Sequence, residues 1–273
     1  MIQRISVLTR YFIRTILFSL TGLFYLLLTL AFWYVLFNPQ QQTPDTAYYQ
    51  LLIGGFGAGL VFLVTLSMAA RANDAQHFPF VVRLKSRAEF VTAVLLSSLL
   101  VTLCYQLLLA ILALLNGPSL TAGHLLEIPP LWLAPMIMAA VLALHASDFI
   151  TIGWSRIYVF GLLAILLFGQ GLQNDSLAGL STSLSRYAIN QGWVDISTQL
   201  ENYANSLSQT EENIISRLFG FVFWPFEALT DGITNGYFTA NQALAPAILL
   251  LYATVLFLLA VDLFANKDLE FTE

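Results

Sequence analysis

Six stretches of this chain are apolar for long enough to cross a lipid bilayer, and that feature limits the fold more than any other. They occupy residues 16–37, 49–70, 90–115, 131–146, 150–172 and 244–264. A helix needs about 20 mostly apolar residues to cover roughly 30 Å of hydrocarbon. Of 273 residues, 58% are hydrophobic and only 10% charged, and mean hydropathy is +0.75. A soluble domain carries about 25% charged residues, and a core of this size cannot absorb the apolar surplus. The expected fold class is therefore all-α: a polytopic membrane protein with six transmembrane helices, forming a single domain over 1–273. The fourth stretch is short, contains Pro135, and is parted from the fifth by a Ser147–Asp148 turn. The first exceeds the 7–15 residues of a signal core, and Asn38-Pro39-Gln40 follows it instead of a small-residue cleavage site, so it is expected to remain as a span.

Positive charge fixes the expected orientation. Arg4, Arg10 and Arg14 precede the first span; Arg71, Arg83, Lys85 and Arg87 lie between the second and third. Arg156 sits beside the turn from the fourth to the fifth, and Lys267 follows the sixth. The connections at 38–48 and 116–130 contain no Lys or Arg, and the one between spans five and six has only Arg186 and Arg217. Both termini are expected in the cytoplasm.

Composition also excludes several functions. A net charge of −5 does not suit a nucleic-acid binder. One cysteine, Cys104, rules out a disulfide framework and a cysteine zinc site, and its apolar surroundings predict a buried, inert thiol. His77, His124 and His145 are too scattered to suggest a metal cluster. The span interiors are nearly free of charge, since Asp148 and Asp262 lie near span ends. Ion-driven transport, intramembrane proteolysis and redox chemistry need ionisable groups or ligands at depth. No bond chemistry and no metal are expected on this chain. The run Gly54-Gly55-Phe56-Gly57-Ala58-Gly59 lacks the Lys-Ser/Thr of a phosphate loop, so it predicts close helix packing, with Gly55 and Gly59 four residues apart.

Three polar segments carry the remaining signal. Residues 1–14 read as an amphipathic helix in the headgroup plane, with Ile2, Ile5, Leu8 and Phe12 on one face and Arg4, Arg10 and Arg14 on the other. The 71–89 connection mixes charges with Phe78 and Phe80, a pattern suited to docking in a protein groove. Its Ser86-x-x-Glu89 reads as a capping box opening the third span. Residues 173–243 form a long external segment, with amphipathic helical spacing over about 194–219. The aromatic run 219–226 follows it, interrupted by Pro225 and too short to span, as in a re-entrant or interfacial element.

The basic N-terminal helix, six spans, charged connection ending in Lys85-Ser86-Arg87-Ala88-Glu89-Phe90 and long external segment resemble the permease subunit of ABC-2 type exporters. Ser86-Arg87-x-Glu89-Phe90 is similar to a frequent feature of that family at the start of the third span. The resemblance implies a type V exporter fold in a bacterial inner membrane, and a dimer with a second permease subunit, identical or related. Two separate ABC ATPase subunits would dock on the cytoplasmic side and hold ATP and Mg, with no cofactor on this chain. The cargo would be amphipathic or lipid-linked. By this likeness the interface helix uses Arg4, Arg10 and Arg14. Coupling falls to Arg71, Asp74, His77, Phe78, Phe80, Arg83, Lys85, Arg87 and Glu89. Phe221, Phe223, Trp224, Pro225 and Phe226 resemble the short external helices before the last span in those permeases. The residues themselves leave two other functions open: a non-transporting membrane scaffold or assembly factor, and an ion-coupled secondary transporter with its ion site at a broken helix.

Overall fold

The computed structural model describes residues 2–37, 45–115, 117–150 and 214–267, with backbone alone at 75, 78, 122, 124, 125 and 214–222. Met1–Val159 and Pro225–Glu273 make one compact unit, and Phe160–Trp224 a second. The described residues are helical and contain no strand. Helix α1 covers Ile2–Leu17, α2 Leu20–Leu36, α3 Thr46–Ala72, α4 Phe78–Arg83, α5 Arg87–Leu114, α6 Ala122–His145, α7 Ile214–Asn235 and α8 Ala245–Ala265. Four helical segments are long and apolar enough to cross a membrane: Thr46–Ala72, Arg87–Leu114, Leu126–His145 and Gln242–Ala265. The bent pair α1–α2 makes a fifth if it counts as one span. The protein is thus an integral membrane protein. The stretch expected at 150–172 falls outside the described residues beyond Ile150, as does the amphipathic helix expected over 194–219 except for its last turns.

The first apolar stretch is not one straight span. It breaks after Leu17, and α1 and α2 meet at 69°. Neither proline nor loss of hydrophobicity causes the break. Ser19 is the N-cap of α2: its hydroxyl accepts from Gly22 N at 3.4 Å and donates to the Ile16 carbonyl at 2.7 Å. A serine oxygen satisfies a backbone N–H that a continuing helix would have paired internally. Gly22 must be glycine here, because a Cβ would run into the carbonyl oxygens of Ile16 and Leu17.

The 71–89 connection is more helical than its charges suggest. Helix α3 runs to Ala72, a 3-10 turn covers Ala75–His77, and α4 follows at once. The expected capping box is half present. Ser86 Oγ accepts from Ala88 N at 3.2 Å, but the Glu89 side chain turns to Arg4 instead of back to Ser86. Helix α6 begins earlier than the apolar stretch at 131–146 and carries Pro129, Pro130 and Pro135 inside it. Pro225 likewise sits within a continuous α7, where an interrupted element was expected. Gly236, at φ +74°, follows the end of that helix, a conformation that glycine adopts without steric cost.

Buried polar side chains tie neighbouring helices together. Gln106 Nε2 donates to the Ile53 carbonyl at 3.2 Å, Tyr105 Oη to Gly22 O at 2.9 Å, and Trp132 Nε1 to Gln50 O at 3.0 Å. In hydrocarbon such bonds replace the hydrophobic drive that packs soluble helices. The glycines that permit close packing are Gly54, against Trp132, and Gly57, against Gln106. Among the described residues, Gly55 and Gly59, the expected pair, meet nothing within 4 Å of a would-be Cβ. Gly54 and Gly57 lie three apart and share a face, and their neighbours belong to α6 and α5. Cys104 is exposed on α5, not buried as its apolar surroundings suggested.

Candidate functional site

Most of the basic residues gather where several helices end, and they divide into an inward and an outward set. The inward set caps helix C-termini, where unpaired carbonyls and the helix dipole favour cations. Arg71, in the last turn of α3, reaches the elbow between α1 and α2. Its Nη1 donates to Thr15 O at 3.0 Å, and its Nη2 to Ser19 Oγ at 3.1 Å and Thr21 Oγ1 at 2.8 Å. Arg87, the first residue of α5, donates from Nη1 to the carbonyls of Phe264, Ala265 and Lys267 at 3.2, 3.1 and 2.6 Å. Lys267 in turn donates to the carbonyls of Asp148 and Phe149, the latter at 3.0 Å, and to Asn73 Oδ1 at 3.5 Å. Partial burial lowers the pKa of its ammonium from the ordinary lysine value. The ends of α1, α3, α6 and α8 and the start of α5 are therefore held together by three cations.

Two further members of the candidate set also face inward. Glu89 is 3% exposed and pairs with Arg4 at 3.6 Å, an ion pair too long to be a hydrogen bond. His77 is buried, with Nε2 hydrogen-bonded to the Tyr11 hydroxyl at 3.2 Å. Its ring lies 5.9 Å from those of Tyr11 and Phe12 and 6.3 Å from Phe80. Phe12 is 5.7 Å from Phe90; Phe90 is 5.8 Å from Phe149 and 6.2 Å from Phe264; and Phe149 and Phe264 are 4.5 Å apart. A column of rings thus runs from α4 through α1 and α5 to the ends of α6 and α8. Beside it, Val7, Leu8, Tyr11, His77 and Phe80 help line an apolar cavity of about 190 Å³.

The outward set lies on α1 and around α4. Asp74, Arg83 and Lys85 are exposed, as are Arg10 and Arg14 on α1. Phe80 is 52% exposed: it touches His77 and also faces outward. Val82 is exposed beside it. Phe78 opens α4, and its side chain lies outside the described residues. The candidate coupling residues are thus split, with Arg71, His77, Arg87 and Glu89 inside and Asp74, Phe80, Arg83 and Lys85 outside. Compared with family models, with curated proteins and with solved structures, the chain matches none.

Sequence reasoning missed the other half of this arrangement. Phe149 and Phe264 had no signal beyond hydrophobicity. Phe12, placed on a lipid-facing stripe of α1, is buried against Phe90, while Ile2 of that stripe is exposed. Of the external aromatic element, Phe226 lines a cavity with Gln50, Trp132 and Thr230; the side chain of Phe221 is not described. Among the described residues, no three His, Cys, Asp or Glu side chains gather as metal ligands.

Proposed function

We propose that this chain is the membrane-spanning permease subunit of an ATP-driven exporter of the ABC-2 kind. In this reading it lies in a bacterial inner membrane with both termini cytoplasmic, paired with a second permease subunit. It moves an amphipathic or lipid-linked molecule outward, with ATP and Mg held by separate ATPase subunits. The likeness of Ser86-Arg87-x-Glu89-Phe90 to the family's pattern supports it, but one structural observation carries it. Phe80 is exposed at one edge and, through His77, Phe12 and Phe90, is continuous with the ends of α6 and α8. A partner gripping Phe80 therefore bears on a chain of ring contacts that leads to the helix ends, and the push is passed along it.

Aromatic anchors dominate interfaces, so Phe80→Ala costs on the order of 1–3 kcal/mol of docking. Arg83→Ala or Lys85→Ala acts at the rim, costs less at equilibrium and mainly alters salt sensitivity. The test is retention of the ATPase subunit with each variant during purification at matched expression. Retention equal to wild type in Phe80→Ala removes the coupling assignment. A reporter after Glu273 that reads external, with one near Gln209 reading cytoplasmic, removes the orientation.

A further inference from the structure

The cavity of about 190 Å³ beside the ring column lies among α1, α4 and α5, with Val7, Tyr11, His77, Phe80 and Phe90 in its lining. Val7, Tyr11 and Phe80 are also exposed, so the cavity sits at an outer edge. Its two polar side chains, Tyr11 and His77, are hydrogen-bonded to each other. Cations stand around it by helical spacing. Arg10 is one turn from Val7, Arg14 one turn from Tyr11, and Arg83 one turn from Phe80, and all three are exposed. Neither α1 nor α4 contains Asp or Glu, and Glu89, the one acid of α5, is buried against Arg4. The result is an apolar hole under a cationic rim, with no carboxylate on its own helices left to balance that rim.

We propose that this cavity is the seat of the chain's own residues 268–273, with the Phe271 ring in the hole and the neighbouring carboxylates on the rim. The assignment stands without the exporter reading. These residues lie beyond the described ones, and their sequence is Asp268-Leu269-Glu270-Phe271-Thr272-Glu273: three acids and no base around one large ring. Charge therefore matches on the two sides. Reach is sufficient as well. The Lys267 carbonyl accepts from Arg87 at 2.6 Å, and Arg87 stands one helical turn before Phe90, a wall of the cavity. The four residues from Lys267 to Phe271 span up to about 14 Å when extended. Size agrees too, because an apolar cavity of roughly 150 Å³ admits benzene, and this one is slightly larger. So short a tether also gives the segment an effective concentration on the order of millimolar. A lipid acyl chain has the apolar chemistry, but its phosphate brings one anionic point to a rim whose cations come from two helices.

The test uses the full chain alone in nanodiscs of phosphatidylcholine and phosphatidylglycerol, so its failure leaves the exporter reading standing. Cys104, which is exposed, is first replaced by alanine. Val7→Cys and Thr272→Cys are then introduced together, and closure of their disulfide is timed under a mild oxidant. Phe271→Ala is expected to slow closure at least about five-fold and Phe271→Leu to slow it less, because a large apolar anchor dominates such a contact. Arg10→Ala with Arg14→Ala is expected to slow it about three-fold and to weaken its salt dependence. Tyr11→Cys takes the place of Val7→Cys if that variant does not fold, with the same ordering expected. Closure that is indifferent to Phe271→Ala means that the segment only collides with α1, and overturns the proposal. So does shielding of Val7→Cys from a water-soluble maleimide that survives deletion of 268–273, since lipid then fills the cavity.

Discussion

At the end of the bundle where α1, α3, α6 and α8 terminate, every described stop is tied. Arg71, Arg87 and Lys267 cap carbonyls of neighbouring elements, and a column of rings runs between them. On the face between α2 and α3, the same two helices are bridged by Phe32 and Phe56 and joined near two tyrosines, with a recess left around the glycines. Charge and aromatic rings link the helix ends of one region to each other. In the other, small residues leave an apolar recess open among the described residues. Both contain residues that stand out in the sequence, and in both the folded chain uses them differently from what spacing alone suggests.

The sharpest way to break this contrast is to empty the ring column. Phe90→Ala removes the ring that touches Phe12, Phe149 and Phe264. It is expected to cost about 3–5 kcal/mol, read by reversible unfolding in detergent. A cost under about 1 kcal/mol would mean that the column is not packed. Next comes the elbow. Gly22→Ala puts a methyl group against the carbonyls of Ile16 and Leu17 and is expected to destabilise by about 1–3 kcal/mol. A neutral outcome would show that α1 and α2 do not meet at so sharp an angle. The smallest effect belongs to the open face. Gly55→Ala and Gly59→Ala gain helix propensity and displace nothing, so each is expected to change stability by no more than about 1 kcal/mol, in the stabilising direction. A large loss at either position would mean that the recess is filled by packing.

The long apolar stretches were legible because hydrophobicity is summed along the chain, and α5 and α8 follow it closely. The elbow at 18–19 was not, since 16–37 is uniformly apolar and only Ser19 and Gly22 mark the break, through hydrogen bonds and a close approach. The glycine run was legible as unusual. Which glycines pack and which face open space depends on the phase of α3 against α5 and α6, which spacing within one helix does not contain. At the candidate site the charges were legible as a cluster. Whether an arginine points at a partner or at a helix end is set by where other chain ends arrive: Arg87 reaches residues about 180 positions away. The ring column has the same origin, because Phe12, Phe90, Phe149 and Phe264 meet only in the folded bundle.

The central claim is that the outward edge of α4, anchored by Phe80 on the clamped end, receives the ATP-hydrolysing partner. Hydrogen exchange of the permease in nanodiscs, with and without the co-isolated ATPase subunit, tests it most directly. The account predicts protection of residues 76–86 and of the exposed face of α1 by about ten-fold or more, with residues 28–36 and 51–63 unchanged. Exchange at 76–86 that is the same with and without the ATPase, while protection appears on another surface, would contradict it.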